Sequence, residues 1–131
     1  MGKSAYYSHI TPEAMAAMAL IEEGFDVALP SFKQPSFDMI SMWGSALHTI
    51  QVKTGCLAPN CKTVQWKTTK HASGLYSADD CSYFGLVLIP RNSIWWLPFS
   101  GIRGKHSVCT NVEQDLLAQY RGNLDGQKKC H

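Results

Sequence analysis

The chain has 131 residues, of which 45% are hydrophobic and 17% charged, and its formal net charge is +2. That length suits one domain over 1–131 with a sizeable core, and the composition excludes a disordered chain. So small a net charge does not by itself mark a nucleic-acid binder; no apolar run reaches the length of a membrane span, and residues 1–10 lack the apolar core of a signal peptide, so a soluble, cytoplasmic protein with no membrane partner is expected.

A helix starts at Thr11-Pro12-Glu13: Thr11 is a capping residue, Pro12 suits the first helical position and Glu13 the first turn. It runs to Glu23 and stops at Gly24, and its small apolar residues suit close packing on a sheet. A short strand follows at 25–29, then a loop with Pro30 and Pro35. Residues 37–43 and 47–54 read as a hairpin around Gly44, Ser45 and Ala46. Residues 56–60 form a turn-rich loop, 63–67 alternate as an edge strand does, and 70–80 form a polar loop. The near-continuous apolar run at 83–89 reads as a buried central strand, with 94–97 as its partner after a turn at Pro90, Arg91 and Asn92. Residues 98–104 carry a short helical turn. Asn111 caps a final helix over 112–120 that ends at Gly122, and 124–131 is a frayed tail. The core is expected over about 11–121 and the tail over 122–131. This order predicts an α/β (α+β) domain with a mixed sheet of about five strands flanked by helices.

The hairpin gathers polar groups. Side chains alternate along a strand, so Gln51 and Lys53 share one face while Ile50 and Val52 share the other. A turn centred on Gly44-Ser45 pairs Asp38 with Gln51, and one centred on Ser45-Ala46 pairs it with Lys53. Both put the three polar groups on one face; the register between them pairs Asp38 with Val52 and does not. The plainer reading is a strand pair with one solvated face. Between Lys53 and His71 lie Lys62, Lys67 and Lys70, with no Asp or Glu. Such a stretch either tracks a phosphate backbone or is a solvated edge. Tyr76 either offers its hydroxyl to a phosphate or caps the core. Trp95 and Trp96 point to opposite faces, one into the core and the other exposed or at a subunit contact. Five cysteines are an odd number, expected as thiols in a reducing compartment. Cys56 and Cys61, with His71 and Cys81, fit a zinc site only loosely.

Several segments, in this order, resemble the PD-(D/E)xK nuclease superfamily: Glu13 on the first helix, Gly24-Phe25-Asp26-Val27, Ser36-Phe37-Asp38-Met39-Ile40, and Ile50-Gln51-Val52-Lys53-Thr54. Downstream, Tyr76, Asp79-Asp80-Cys81-Ser82-Tyr83-Phe84 and Pro98 extend the likeness to small Gln-x-Lys members, which include an intron-encoded homing endonuclease and Holliday-junction-resolvase-like proteins. The resemblance covers about 13–98. It implies a restriction-endonuclease-like core and metal-dependent hydrolysis of DNA phosphodiesters. Residue by residue, it implies that Asp38, the Gln51 amide, the Val52 carbonyl and Glu13 hold Mg2+, with Mn2+ as a substitute. Lys53 then stands beside the attacking water and the scissile phosphate, and Glu13, Asp38, Gln51 and Lys53 form the catalytic set. Lys62, Lys67, Lys70, His71 and Tyr76 are the expected nucleic-acid contacts. Two positions depart from the pattern. Gln51 replaces the usual second acid and removes a negative charge, and Phe37 stands where proline is common. The small size of the chain and the pseudo-symmetry of DNA imply a homodimer or homotetramer. A nuclease fold that binds DNA without cutting it is the alternative, favoured by Gln51; a structural or interaction protein and a zinc module are further ones.

Overall fold

The computed structural model describes residues 11–30, 37–69, 76, 81–102, 105–122 and 124. Helix α1 (Pro12–Glu22) begins where its sequence directs: the Thr11 hydroxyl accepts the Ala14 N–H at 3.1 Å, and Pro12 follows. It ends in a Schellman turn. Gly24 sits at φ 100°, its N–H donates to the Ile21 carbonyl, and the Phe25 N–H donates to the Leu20 carbonyl, both at 3.0 Å. The turn brings Phe25 into the core beside Ala16 and Leu20.

Eight strands follow: β1 (Asp26–Ala28), β2 (Met39–Trp43), β3 (Ala46–Thr54), β4 (Cys56–Leu57), β5 (Thr63–Lys67), β6 (Tyr83–Leu88), β7 (Ser93–Pro98) and β8 (Ser107–Asn111). The main sheet has the order β1-β2-β3-β6-β7, with β3 and β6 parallel and the other neighbours antiparallel. The crossover from β3 to β6 contains most of a second, antiparallel sheet, β4-β5-β8. The chain steps between the sheets at Gly55. Its N–H donates to the Val87 carbonyl at 2.7 Å, and the Trp66 indole N–H donates to the same oxygen at 3.0 Å. A Cβ at position 55 would lie 2.5 Å from Trp66 Nε1, so glycine alone lets the backbone and the indole share that acceptor.

The main sheet divides two cores. On one face, Ala16 and Leu20 of α1 cover Met39, Ile50, Val52, Val87, Ile94 and Trp96. On the other, Val64, Trp66 and Val108 of the second sheet cover Phe84, Leu86, Leu88, Trp95 and Leu97. Strand β6 is covered on both sides, which accounts for its unbroken apolar sequence. The mixed five-strand sheet agrees with the sequence reading.

Several local expectations are corrected. Residues 112–120 form successive turns and one 3-10 turn, Ala118–Tyr120, rather than an α-helix. Asn111 does cap, its Oδ1 accepting the Glu113 and Gln114 N–H groups at 2.8 and 3.1 Å. Asp115 then diverts the chain. Its Oδ2 accepts the Trp95 indole N–H at 2.6 Å, and its Oδ1 accepts the Thr110 hydroxyl at 2.8 Å and the Leu117 N–H at 2.9 Å. These anchors compete with the ladder that a helix would need. Among the described residues α1 is the one α-helix. Strand β5 is the middle of its sheet rather than an edge, because β8, unforeseen in the sequence, pairs with it. Trp95 and Trp96 do face opposite ways, but each is only 1% exposed, so neither is left for a subunit contact. Leu124, assigned to the tail, is buried, and its N–H donates to Glu23 Oε1 at 3.1 Å.

Candidate active site

The β2–β3 hairpin positions the polar triad. Met39 pairs with Ile50 and Trp43 with Ala46, leaving Gly44 and Ser45 as a two-residue turn. Gly44 has φ +62°, a value suited to the first central position of a tight hairpin turn. This is the register centred on Gly44-Ser45; the regular ladder ends at Met39, and Asp38, just before it, is set against Ile50 and Val52 instead of pairing with Gln51. Ile50 and Val52 are buried beneath α1, so Gln51 and Lys53 point to the other face.

Asp38 is fastened twice. Its N–H donates to the Ile50 carbonyl at 2.7 Å, and its Oδ2 accepts the Val52 N–H at 2.7 Å. Burial is the largest influence on the carboxyl and pushes its pKa above the ordinary 3.8; the Val52 hydrogen bond opposes this, the Glu13 charge adds to it, and the Lys53 charge opposes it. The Glu13 carboxylate, exposed in the first turn of α1, therefore lies within electrostatic reach of Asp38.

Lys53 is half-buried. Its ammonium donates to the Thr69 carbonyl at 3.0 Å and lies 4.9 Å from the centroid of the Tyr76 ring. Desolvation dominates its titration and lowers its pKa from the ordinary 10.5, against the charges of Asp38 and Cys81, which raise it. Gln51 shares the strand face of Lys53, and its amide oxygen is buried with no hydrogen-bond partner among the described residues. A buried acceptor left open in this way lacks the compensation that such groups usually find. The carboxylate of Asp38 and the open oxygen of Gln51 are hard donors of the type that magnesium prefers, so the residues present fit a small divalent cation. The side chain of Val52 is buried in the core beneath α1, and its main chain meets Asp38 through the N–H.

The expected nucleic-acid contacts are placed differently. Tyr76 is buried, its ring edge-to-face with Phe84 at 5.2 Å. Lys62 is exposed and pairs with Glu113 at 3.4 Å. Lys67 is exposed at the end of β5. Lys70 and His71 lie outside the described residues. Cys81 is buried against Trp66 and Phe84, whereas Cys56 and Cys61 are exposed at the second sheet. Among the described residues no three His, Cys, Asp or Glu side chains gather as a metal site. Sequence reasoning missed Thr69, which acts through its carbonyl, an atom that every residue carries.

The family model described as PD-(D/E)XK endonuclease matches residues 9–120. The chain belongs to the PD-(D/E)XK endonucleases. Among solved structures, this PD-(D/E)XK chain is similar to the bacterial homing endonuclease I-Ssp6803I, with a TM-score of 0.69. The likeness covers 84% of this chain and 83% of the other at 14% identity, a level that speaks for the fold. No curated protein matches the sequence. Among the described residues no helix is long and apolar enough to cross a membrane.

Proposed function

We propose that the protein is a metal-dependent endonuclease that hydrolyses DNA phosphodiester bonds at Asp38, Gln51 and Lys53, with Glu13 as an outer carboxylate. The observation that carries this reading is the open, buried Gln51 oxygen set beside a desolvated carboxylate and a desolvated ammonium in a PD-(D/E)XK fold. Each group is held where ordinary folding gains little from it, and such groups concentrate at functional sites. The homing endonuclease among the similar structures supports DNA as the substrate.

Asp38 would hold magnesium, or manganese in its place, with the Gln51 amide oxygen and the Val52 carbonyl beside it; Glu13 reaches the ion directly or through water. Bound there, the ion supplies Lewis acidity toward the phosphate and the attacking water. The Val52 N–H orients the Asp38 carboxylate and keeps one oxygen turned inward. Lys53, fixed by the Thr69 carbonyl and the Tyr76 ring, presents its charge to the phosphate and stabilises the negative charge that develops at phosphorus. Both strands of a duplex are cut most simply by a homodimer or homotetramer of such subunits.

Nicking of supercoiled plasmid and of a four-way junction with Mg2+ or Mn2+ tests the reading. Cleavage by the wild type that disappears in Asp38→Ala and in Lys53→Ala is the expected result. A preference for the junction assigns a resolvase. Gln51 favours a second reading, a nuclease fold that binds DNA without cutting. An inert wild type whose DNA affinity is unchanged by Asp38→Ala would select it.

A further inference from the structure

The cations of the second sheet divide between its two ends. At the start of β5, Lys62 lies 3.4 Å from the Glu113 carboxylate, and the Arg91 guanidinium donates to the Cys61 carbonyl at 3.0 Å. Both are engaged there by the protein itself. The other end of β5 is about 16 Å away for five extended residues. There Lys67 is exposed and pairs in register with Ser107, at the start of β8.

The next two residues tie this end to the candidate active site. Thr68 is fully buried; its N–H donates to the His106 carbonyl at 2.9 Å and its hydroxyl to the Lys105 carbonyl at 3.2 Å. Lys105 is thereby fixed next to Lys67, and its side chain is exposed. Thr69 follows, and its carbonyl receives the Lys53 ammonium at 3.0 Å. Among the described residues neither Lys67 nor Lys105 makes an ion pair. Two unpaired ammonium groups thus stand on a short, hydrogen-bonded segment that ends on Lys53, while Lys62 and Arg91, at the other end of β5, are already occupied.

We infer that Lys67 and Lys105 form a phosphate-binding ridge that seats the nucleic-acid backbone flanking the cleavage site. The assignment rests on the DNA-cleaving reading and adds to it the direction of the strand: along the Lys67 end of the second sheet, not the Lys62 end. Exposed ammonium groups that replace condensed counterions make affinity fall with salt in proportion to the number of phosphates neutralised. The ridge is therefore read in a slope, which a merely structural role would not move.

The experiment is fluorescence anisotropy of a labelled duplex in metal-free buffer, across about 50 to 200 mM salt. The Lys67→Ala/Lys105→Ala double variant should reduce the slope of log affinity against log salt by about 1.8, two contacts at about 0.9 each, and Lys62→Ala should leave it unchanged. A double variant with the wild-type slope overturns the ridge, as does a Lys62→Ala slope that falls as far. Plasmid cleavage by the wild type separates the two claims. A wild type that nicks plasmid while the double variant keeps its slope refutes the ridge alone. A wild type with neither cleavage nor salt-dependent binding refutes both.

Discussion

Replacing Asp38 by asparagine separates what the site does from what holds the fold. The carboxylate is desolvated, its pKa lies above the ordinary 3.8, and at neutral pH its charge works against folding in the metal-free protein. Asparagine keeps an oxygen for the Val52 N–H, which the carboxylate accepts at 2.7 Å, and removes the charge. Asp38→Asn should therefore melt higher than the wild type without metal, by about 1 kcal/mol, the usual gain from relieving a functional site. In a chain of 131 residues that is about 3–5 °C. Asp38→Ala leaves the Val52 N–H without an acceptor and should lose about 1–3 kcal/mol. Linkage fixes the sign with pH. A raised carboxyl pKa means that the folded protein binds the proton more tightly than the unfolded chain. The wild type then gains stability relative to Asp38→Asn as pH falls from the folded pKa toward 3.8, and the gap between them narrows. Magnesium at ten times its Kd should raise wild-type stability by about 1.4 kcal/mol and leave Asp38→Asn unmoved. Thermal melts over pH, with and without the ion, report all of this. An Asp38→Asn protein that melts below the wild type without metal, with the gap constant over pH, would refute the reasoning.

Gln51→Glu restores the second acid of the family pattern at the open acceptor, so it should tighten magnesium at least several-fold while lowering metal-free stability through repulsion with Asp38, both read in a thermal-shift titration. Tyr76→Phe keeps the ring under the Lys53 ammonium and should retain cleavage, whereas Tyr76→Leu loses about 0.5–2 kcal/mol of cation–π attraction; kcat should fall with KM little changed, and equal kcat values for the two variants would show that the ring does not position Lys53. Gly55→Ala drives a Cβ to 2.5 Å from the Trp66 indole nitrogen and should cost about 1–3 kcal/mol in a urea melt.

The parts of the fold visible in the sequence were those where local chemistry and tertiary packing agree. Thr11, Pro12 and Gly24 each act within one turn, so the bounds of α1 follow from them. The hairpin is legible but its register is not: two turn centres keep Ile50 and Val52 in the core beneath α1, and the structure takes the one on Gly44-Ser45. The 112–120 segment failed for the opposite reason. Its Asn111 cap is real, but Asp115 is claimed by Trp95 and Thr110, twenty and five residues away in the chain, and no local pattern announces that competition. Strand β8 was missed with it, since an alternation of five residues gains meaning only once β5 is present to pair with it. Within the candidate site, the shared face of Gln51 and Lys53 was legible because a strand's period of two aligns them. Thr69 was not, because the group it contributes is main chain.

The same distinction bears on the neutral Gln51. In isolation a glutamine where the family pattern has an acid reads as a lost ligand. In the folded site the electrostatics point the other way. Asp38 is already raised by burial and by the nearby Glu13 charge, and Lys53 is already lowered by burial. A second buried carboxylate there would push Asp38 higher still in the metal-free protein. A neutral amide offers a hard oxygen without that penalty, and among the described residues nothing hydrogen-bonds the Gln51 oxygen. Gln51 thereby offers the ion a weaker ligand without raising the Asp38 carboxyl further, and Gln51→Glu should shift the acid limb of cleavage to higher pH while tightening the metal. A variant whose acid limb stayed in place would show that the amide is a gap in the ligand set instead.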